Sequence, residues 1–551
     1  MFELPRRHLA DSRTTGVRQR LNRVARSVSI AVLSIALAGC GGAEKTAAKS
    51  AKPSLATPQG SLVPRLGARC FDQQTRLEKR VHAEKARPMR ISVRRSPVTA
   101  RFNGAKAKPM LAGEVMLDDV FATAVRKGRV RSAFVLGLAG TGKSAFAKTL
   151  EQRICEDLPT VVVRATKIAD GGSGNPVLAA AAARFGLKLP KDQLPGANIN
   201  AGLAGKPWLL VLDGIDELPL TRRPDVLVHV RSAIKKWPAM RMIVIARPPI
   251  YTPAFKLPEI TGVLELMPQT CDDVDASLQA WKSKDSRLAN IDKLLASYKL
   301  NAKVKFDGEC HLRQVMTWRD VTMAMDLARS AEQGHYLAPA ETFDGSRSAL
   351  FALWIKADLD MVLKRAGVAP DRALELIDRM MHTISPKVGG PLVFRSKRCE
   401  ITSNSMALTG TSDLCRLLFR AHIFSSKRSD GTFVFANRSV EEWFIAHRIN
   451  EEMKRAANPS CDVVGKLHQL YESTDIAAFL LGMSEGRRCT ATALRTLCSS
   501  HCEQRDLARI AERGLPTGPT RAAAIANARK ELVDGAPESK CALKVLDSLA
   551  K

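Results

Sequence analysis

Ala133-Phe134-Val135-Leu136-Gly137-Leu138-Ala139-Gly140-Thr141-Gly142-Lys143-Ser144 joins a short apolar run to a glycine-rich turn, which ends in a basic and a hydroxyl side chain. The run has no polar alternation, as a strand buried on both faces requires. The turn has the Gly-x4-Gly-Lys-Ser spacing of a phosphate-binding loop, in the strand-to-helix setting such a loop needs. The glycines let backbone N–H groups turn inward around phosphates, and the helix expected to start near Ser144 adds the positive end of its dipole. Lys143 is then placed for the β and γ phosphates, and the Ser144 hydroxyl for Mg2+. Gly137, Leu138, Ala139, Gly140, Thr141, Gly142, Lys143 and Ser144 are therefore the expected cradle for ATP or ADP with Mg2+.

A second apolar run, Leu209-Leu210-Val211-Leu212, ends in Asp213-Gly214-Ile215-Asp216-Glu217. A strand of this kind delivers Asp213 at its carboxyl end, facing the loop, where it holds Mg2+ through water, while Asp216 and Glu217 lie close enough to polarise an attacking water. Further strands are expected over 160–163, 242–245 and 263–266, separated by helical sequence such as 225–237, whose Val226, Leu227, Val230, Ile234 and Trp237 share one face. This alternation predicts an α/β core built on a doubly wound parallel sheet, over 111–270. Beyond about Cys271 helical periodicity dominates, apart from a β-hairpin around Asp430-Gly431. The expected order is a helical domain over 271–385, a winged-helix-like domain over 386–450 and an all-α region over 451–551, with Ile476, Phe479 and Leu480 as a candidate partner stripe.

The form Asp213-Gly214-Ile215-Asp216-Glu217 resembles the Walker B motif of NACHT domains, in the STAND class of P-loop NTPases. Ile243-Val244-Ile245-Ala246-Arg247-Pro248 resembles the sensor strand of that family, which implies that Arg247 senses the γ-phosphate. Leu264-Glu265-Leu266 with Asp272-Asp273-Val274 resembles the close of the NACHT core, and Phe435–Phe444 the end of its winged helix. The resemblance spans roughly 115–450. It implies a slow ATP hydrolase used as a molecular switch, closed with ADP, open with ATP and signalling by oligomerisation, with bacterial anti-phage defence as its biology. It also places Asn437 at the nucleotide, where the family usually has a histidine, and Trp318 where a proline packs near adenine. A continuously cycling ATPase that remodels a macromolecule is the alternative, as is a membrane-tethered nucleotide-binding module.

The net charge of +30 is concentrated in residues 1–110, which hold 23 Lys+Arg against 6 Asp+Glu. No aromatic interleaving supports a base-stacking surface there, so nucleic acid is not an expected partner. Arginines precede an apolar run over 28–38 that is too short to span a bilayer and ends in Leu37-Ala38-Gly39-Cys40. Residues 1–40 resemble a bacterial lipobox segment, which implies a lipidated Cys40 and a membrane-associated protein; the alternative is a cytoplasmic one. Residues 41–110 read as a basic flexible linker. The twelve cysteines form no paired CxxC array, which predicts mainly reduced, buried thiols. The cluster Cys498, His501 and Cys502 lacks a second pair to complete a metal site. The expected partners are a second copy of the chain, a protein trigger and the membrane.

Overall fold

The computed structural model describes residues 90–93 and 114–116 and, with short interruptions, residues 122–550. Cys40 and the rest of the lipobox-like segment lie outside the described residues. Seven strands make one sheet: β1 Arg90–Val93, β2 Glu114–Met116, β3 Ser132–Leu136, β4 Thr160–Arg164, β5 Trp208–Asp213, β6 Met240–Ala246 and β7 Gly262–Leu266. Their order is β2-β1-β7-β3-β6-β5-β4. The last five in that order are mutually parallel, and β1 and β2 pair antiparallel at one edge. The five expected strands are therefore present, in an α/β P-loop core. Within the 41–110 linker segment, Arg90–Val93 forms a strand whose backbone pairs with β7. A four-residue strand has too short an alternation to stand out in sequence, and its partner supplies the reason it forms.

Alternate residues of the central strands feed two cores. Phe134, Leu136, Leu210, Leu212 and Val244 pack on one side, against Val226 and Val230 of helix α2, Arg223–Lys236. Val135, Val211, Ile243 and Ile245 pack on the other, against Phe146, Leu150 and Ile154 of helix α1, Lys143–Ile154. Both faces are covered, which is why these strands read as unbroken apolar runs.

After the sheet come α3 Cys271–Lys282, a two-stranded antiparallel unit of β8 Lys303–Phe306 and β9 Glu309–Leu312, then α4 Trp318–Glu332 and α5 Arg347–Leu363. Both α3 and α4 open with a capping box, Thr270 with Asp273 and Thr317 with Asp320. The β8–β9 pair corrects the expectation of helix alone in this stretch. The expected hairpin forms as β11 Phe424–Ser426 and β12 Thr432–Phe435, joined by β10 Val393–Arg395 into a three-stranded antiparallel sheet. There follow α6 Arg438–Arg455, α7 Thr474–Gly482, α8 Gln504–Gly514, α9 Gly518–Glu531 and α10 Pro537–Ala550.

Two further expectations are corrected here. Ile476, Phe479 and Leu480 are not a partner stripe, since all are fully buried and Phe479 meets Phe351 ring to ring at 4.8 Å. Apart from Asp475 in its first turn, the helix they sit on is apolar all round and so is a core helix. The cysteines are not mainly reduced: Cys271–Cys310, Cys399–Cys415, Cys461–Cys489 and Cys498–Cys541 are disulfides, and Cys155 is disulfide-bonded as well. These four pairs lie 16 to 43 residues apart in sequence and meet only because their elements pack together. No short motif carries such a pairing.

Candidate nucleotide-binding site

The strand register brings the functional residues to one level. Leu136 pairs with Ala246 across β3 and β6, and Asp213 pairs with Ile245 across β5 and β6. The residues at or just after these strand ends are Gly137, Asp213 and Arg247, so the glycine loop, the acidic cluster and the arginine lie side by side. The site is thus at the carboxyl edge of a parallel sheet beside its central strand, where the chain's crossovers diverge and ligands of such sheets bind.

Within the loop, Gly140 and Gly142 have φ of +85° and +96°, and Gly142 caps α1 in the left-handed region. A side chain is strained at both. A Cβ at Gly140 would also sit 2.6 Å from Thr317 Oγ1 and 2.8 Å from Arg319 Cβ. The start of α4 therefore rests on the loop, and the Arg319 N–H donates to the Gly140 carbonyl at 3.2 Å. Lys143 Nζ donates to the carbonyls of Gly137 and Leu138, each at 2.9 Å, and burial lowers its pKa against the pull of Asp216. This is the phosphate-binding loop of an α/β P-loop core.

The P-loop core carries its acids on one turn. Asp213 is buried, which raises its carboxyl, and a hydrogen bond from Ser144 works the other way. A hydroxyl and a carboxylate in contact are hard oxygen donors, the kind Mg2+ takes. They fit the ion the motif calls for. Trp318 is buried beside the loop, edge-on to Trp281 at 6.1 Å.

Asp216 and Glu217 have different surroundings. Asp216 is engaged by Arg247, through Nε at 3.1 Å and through the backbone N–H at 3.3 Å. The Glu217 carboxyl has no hydrogen bond or ion pair among the described residues, and surrounding protein and then the Asp216 charge push it up to about 7. Its outer side is open to water, so screening trims that shift. A carboxyl that titrates near neutrality is suited to take a proton from water. ATP hydrolysis is accordingly expected to rise with pH along a limb at or somewhat below pH 7, because the raised group is protonated and inert on the acid side. Glu217→Gln should flatten that limb while leaving ATP bound. A pH profile of turnover with the limb unchanged in Glu217→Gln would assign the base elsewhere.

Arg247 reaches well beyond the core. Its Nη1 donates to both oxygens of Glu442, at 2.8 and 3.0 Å, and to Asp475 at 2.6 Å. Burial alone would lower this guanidinium's pKa; Glu442, Asp475 and Asp216 overcome that and hold it charged. Asn437, expected at the nucleotide, spends its side-chain oxygen capping α6 through the Val440 N–H at 3.1 Å. Glu442, further along the same helix, meets Arg247. Sequence reading missed Glu442 and Asp475, and the available hint was an Asp or Glu placed inside otherwise apolar helical sequence.

No family model and no curated protein matches the chain. Among solved structures it is similar to the ORC1 protein of Aeropyrum pernix in complex with DNA, at 19% identity over 60% of this chain and 90% of that one, with a TM-score of 0.29. It is similar also to the RuvB Holliday junction branch migration motor of Thermotoga maritima, at 12% identity over 58% and 89%, TM-score 0.26. Drosophila ORC bound to AT-rich DNA and Cdc6 gives 9% identity over 93% and 74%, TM-score 0.27. Likenesses this distant carry nothing about activity, and the assignment stands on the loop and its register.

Proposed function

We propose that the chain is an ATP-dependent switch of the NACHT-type STAND class, closed with ADP and opened by ATP to oligomerise. The observation that carries this reading is Arg247, which ties Asp216 of the core to Glu442 on α6 and Asp475 on α7 through one buried guanidinium. A cation next to the phosphate loop that also fastens the distant helices is what a phosphate-sensitive latch needs. In this reading β10–β12 with α6 is the winged helix, Ser144 and Asp213 hold Mg2+, and the partners are further copies of the chain and a protein trigger. Defence against phage is the biology that the family resemblance suggests. A continuously cycling ATPase is the competing reading, and nucleotide occupancy separates the two: a switch copurifies with bound nucleotide and turns over slowly.

The test begins with Lys143→Ala. Its ammonium is the mobile cation of the loop, so nucleotide release from denatured wild type, with about ten- to a hundredfold weaker binding in the variant, is expected from losing a charge-assisted contact to a phosphate. Equal ATP affinity in the two proteins by calorimetry would end the assignment.

A further inference from the structure

Two arginines from outside the core face the phosphate loop. Arg347 is the first residue of α5 and Arg513 lies at the end of α8, and both are essentially fully buried. With Leu138, Ala139, Arg247 and Asp475 they line one small cavity against the loop. Buried guanidinium groups are costly unless their donors and charge are matched. Here the charge is matched but the donors are not: Arg347 Nη1 donates to Asp475 at 2.5 Å and Arg513 Nη2 to Asp320 at 2.5 Å, while Arg347 Nε and Nη2 and Arg513 Nε have no partner among the described residues. The cavity lining thus holds three guanidinium groups and a single carboxylate. The rings of Phe351 and Phe479 under Arg347, at 5.3 and 4.8 Å, fix its plane.

We propose that Arg347 and Arg513 are nucleotide-binding residues which, with Arg247, form a socket for the terminal phosphate of ATP, and that Asp475 fills this socket when no such phosphate is there. The inference rests on the reading of the loop as an ATP site. A phosphate offers several acceptor oxygens and about two negative charges, and so answers the unmatched donors that one carboxylate leaves. It also repels Asp475. The terminal phosphate therefore takes Arg247 and Arg347 from Asp475 and releases α7, while ADP leaves the contact intact. Helices outside the core would in this way distinguish ATP from ADP.

The experiment measures Mg·ATPγS and Mg·ADP affinity by calorimetry on the full chain, for wild type, Lys143→Ala, Arg347→Gln, Arg513→Gln and Asp475→Asn. Arg347→Gln and Arg513→Gln are expected to weaken ATPγS by at least about tenfold, the effect of one charged hydrogen bond, with ADP little changed. Asp475→Asn should strengthen ATPγS. If wild type binds both nucleotides, Lys143→Ala abolishes both, and the two glutamine variants shift them equally or not at all, the socket is refuted while the ATP site survives. Absence of any nucleotide binding by wild type would overturn both readings. Because a buried-charge variant can misfold, hydrogen exchange of amides 474–482 is compared in wild type alone: faster exchange with ATPγS than with ADP supports the proposal, and equal rates overturn it.

Discussion

Arg247→Ala is expected to destabilise the protein by about 3–5 kcal/mol, the loss found when one partner of a buried ion pair is removed. The variant leaves Asp216, Glu442 and Asp475 side by side with side chains only 10%, 2% and 7% exposed. Their mutual repulsion has little water to screen it and is relieved only in part, by Arg438, which pairs with Glu441 and Glu442, and by Arg347, which pairs with Asp475. A urea titration followed by circular dichroism reads the loss, and limited proteolysis reports whether the helices after 438 detach first. Arg247→Lys should recover part of the stability, since an ammonium restores charge without the planar fork that reaches three carboxylates. A change under about 1 kcal/mol in Arg247→Ala, the range of surface pairs, would mean that the latch does not hold the helices.

Reduction is expected to be the other large effect. Four disulfides with both halves among the described residues close loops of 39, 16, 28 and 43 residues, and cross-links of this span stabilise by about 3–4 kcal/mol each in the chain-entropy account. Dithiothreitol should therefore lower the unfolding midpoint sharply, with the greatest effect after residue 461, where Cys461–Cys489 and Cys498–Cys541 tie the helical region together. Disulfides in this number belong to oxidising compartments. They favour an exported body, the compartment that a used lipobox-like start would imply and one where ATP is scarce, so this localisation competes with the ATP-switch reading. Alkylation in intact bacteria followed by mass spectrometry should find the paired cysteines unreactive, and Cys40→Ser should release the protein from membranes. Fully alkylated cysteines and a wild type already free in the soluble fraction would retire this localisation.

The residues around Lys143 and Asp213 were legible in sequence because their chemistry is local. A glycine loop of fixed spacing between a strand and a helix makes a phosphate site wherever it folds, and an apolar run buried on both faces must deliver the acid that follows it to a sheet edge. Arg247 was legible for the same reason, as the residue after β6. Sequence left the roles of Asp216 and Glu217 open, and the packed structure gives the two different surroundings, with Arg247 beside Asp216 and water beside Glu217. Glu442 and Asp475 stand 195 and 228 residues from the arginine they hold, and the cystine halves are likewise far apart in the chain. Such pairings depend on which helix faces dock. Periodicity tells which face of a helix is buried, but the free energy that decides its neighbour comes from desolvation and charge matching across the whole molecule, and no run of sequence carries that information.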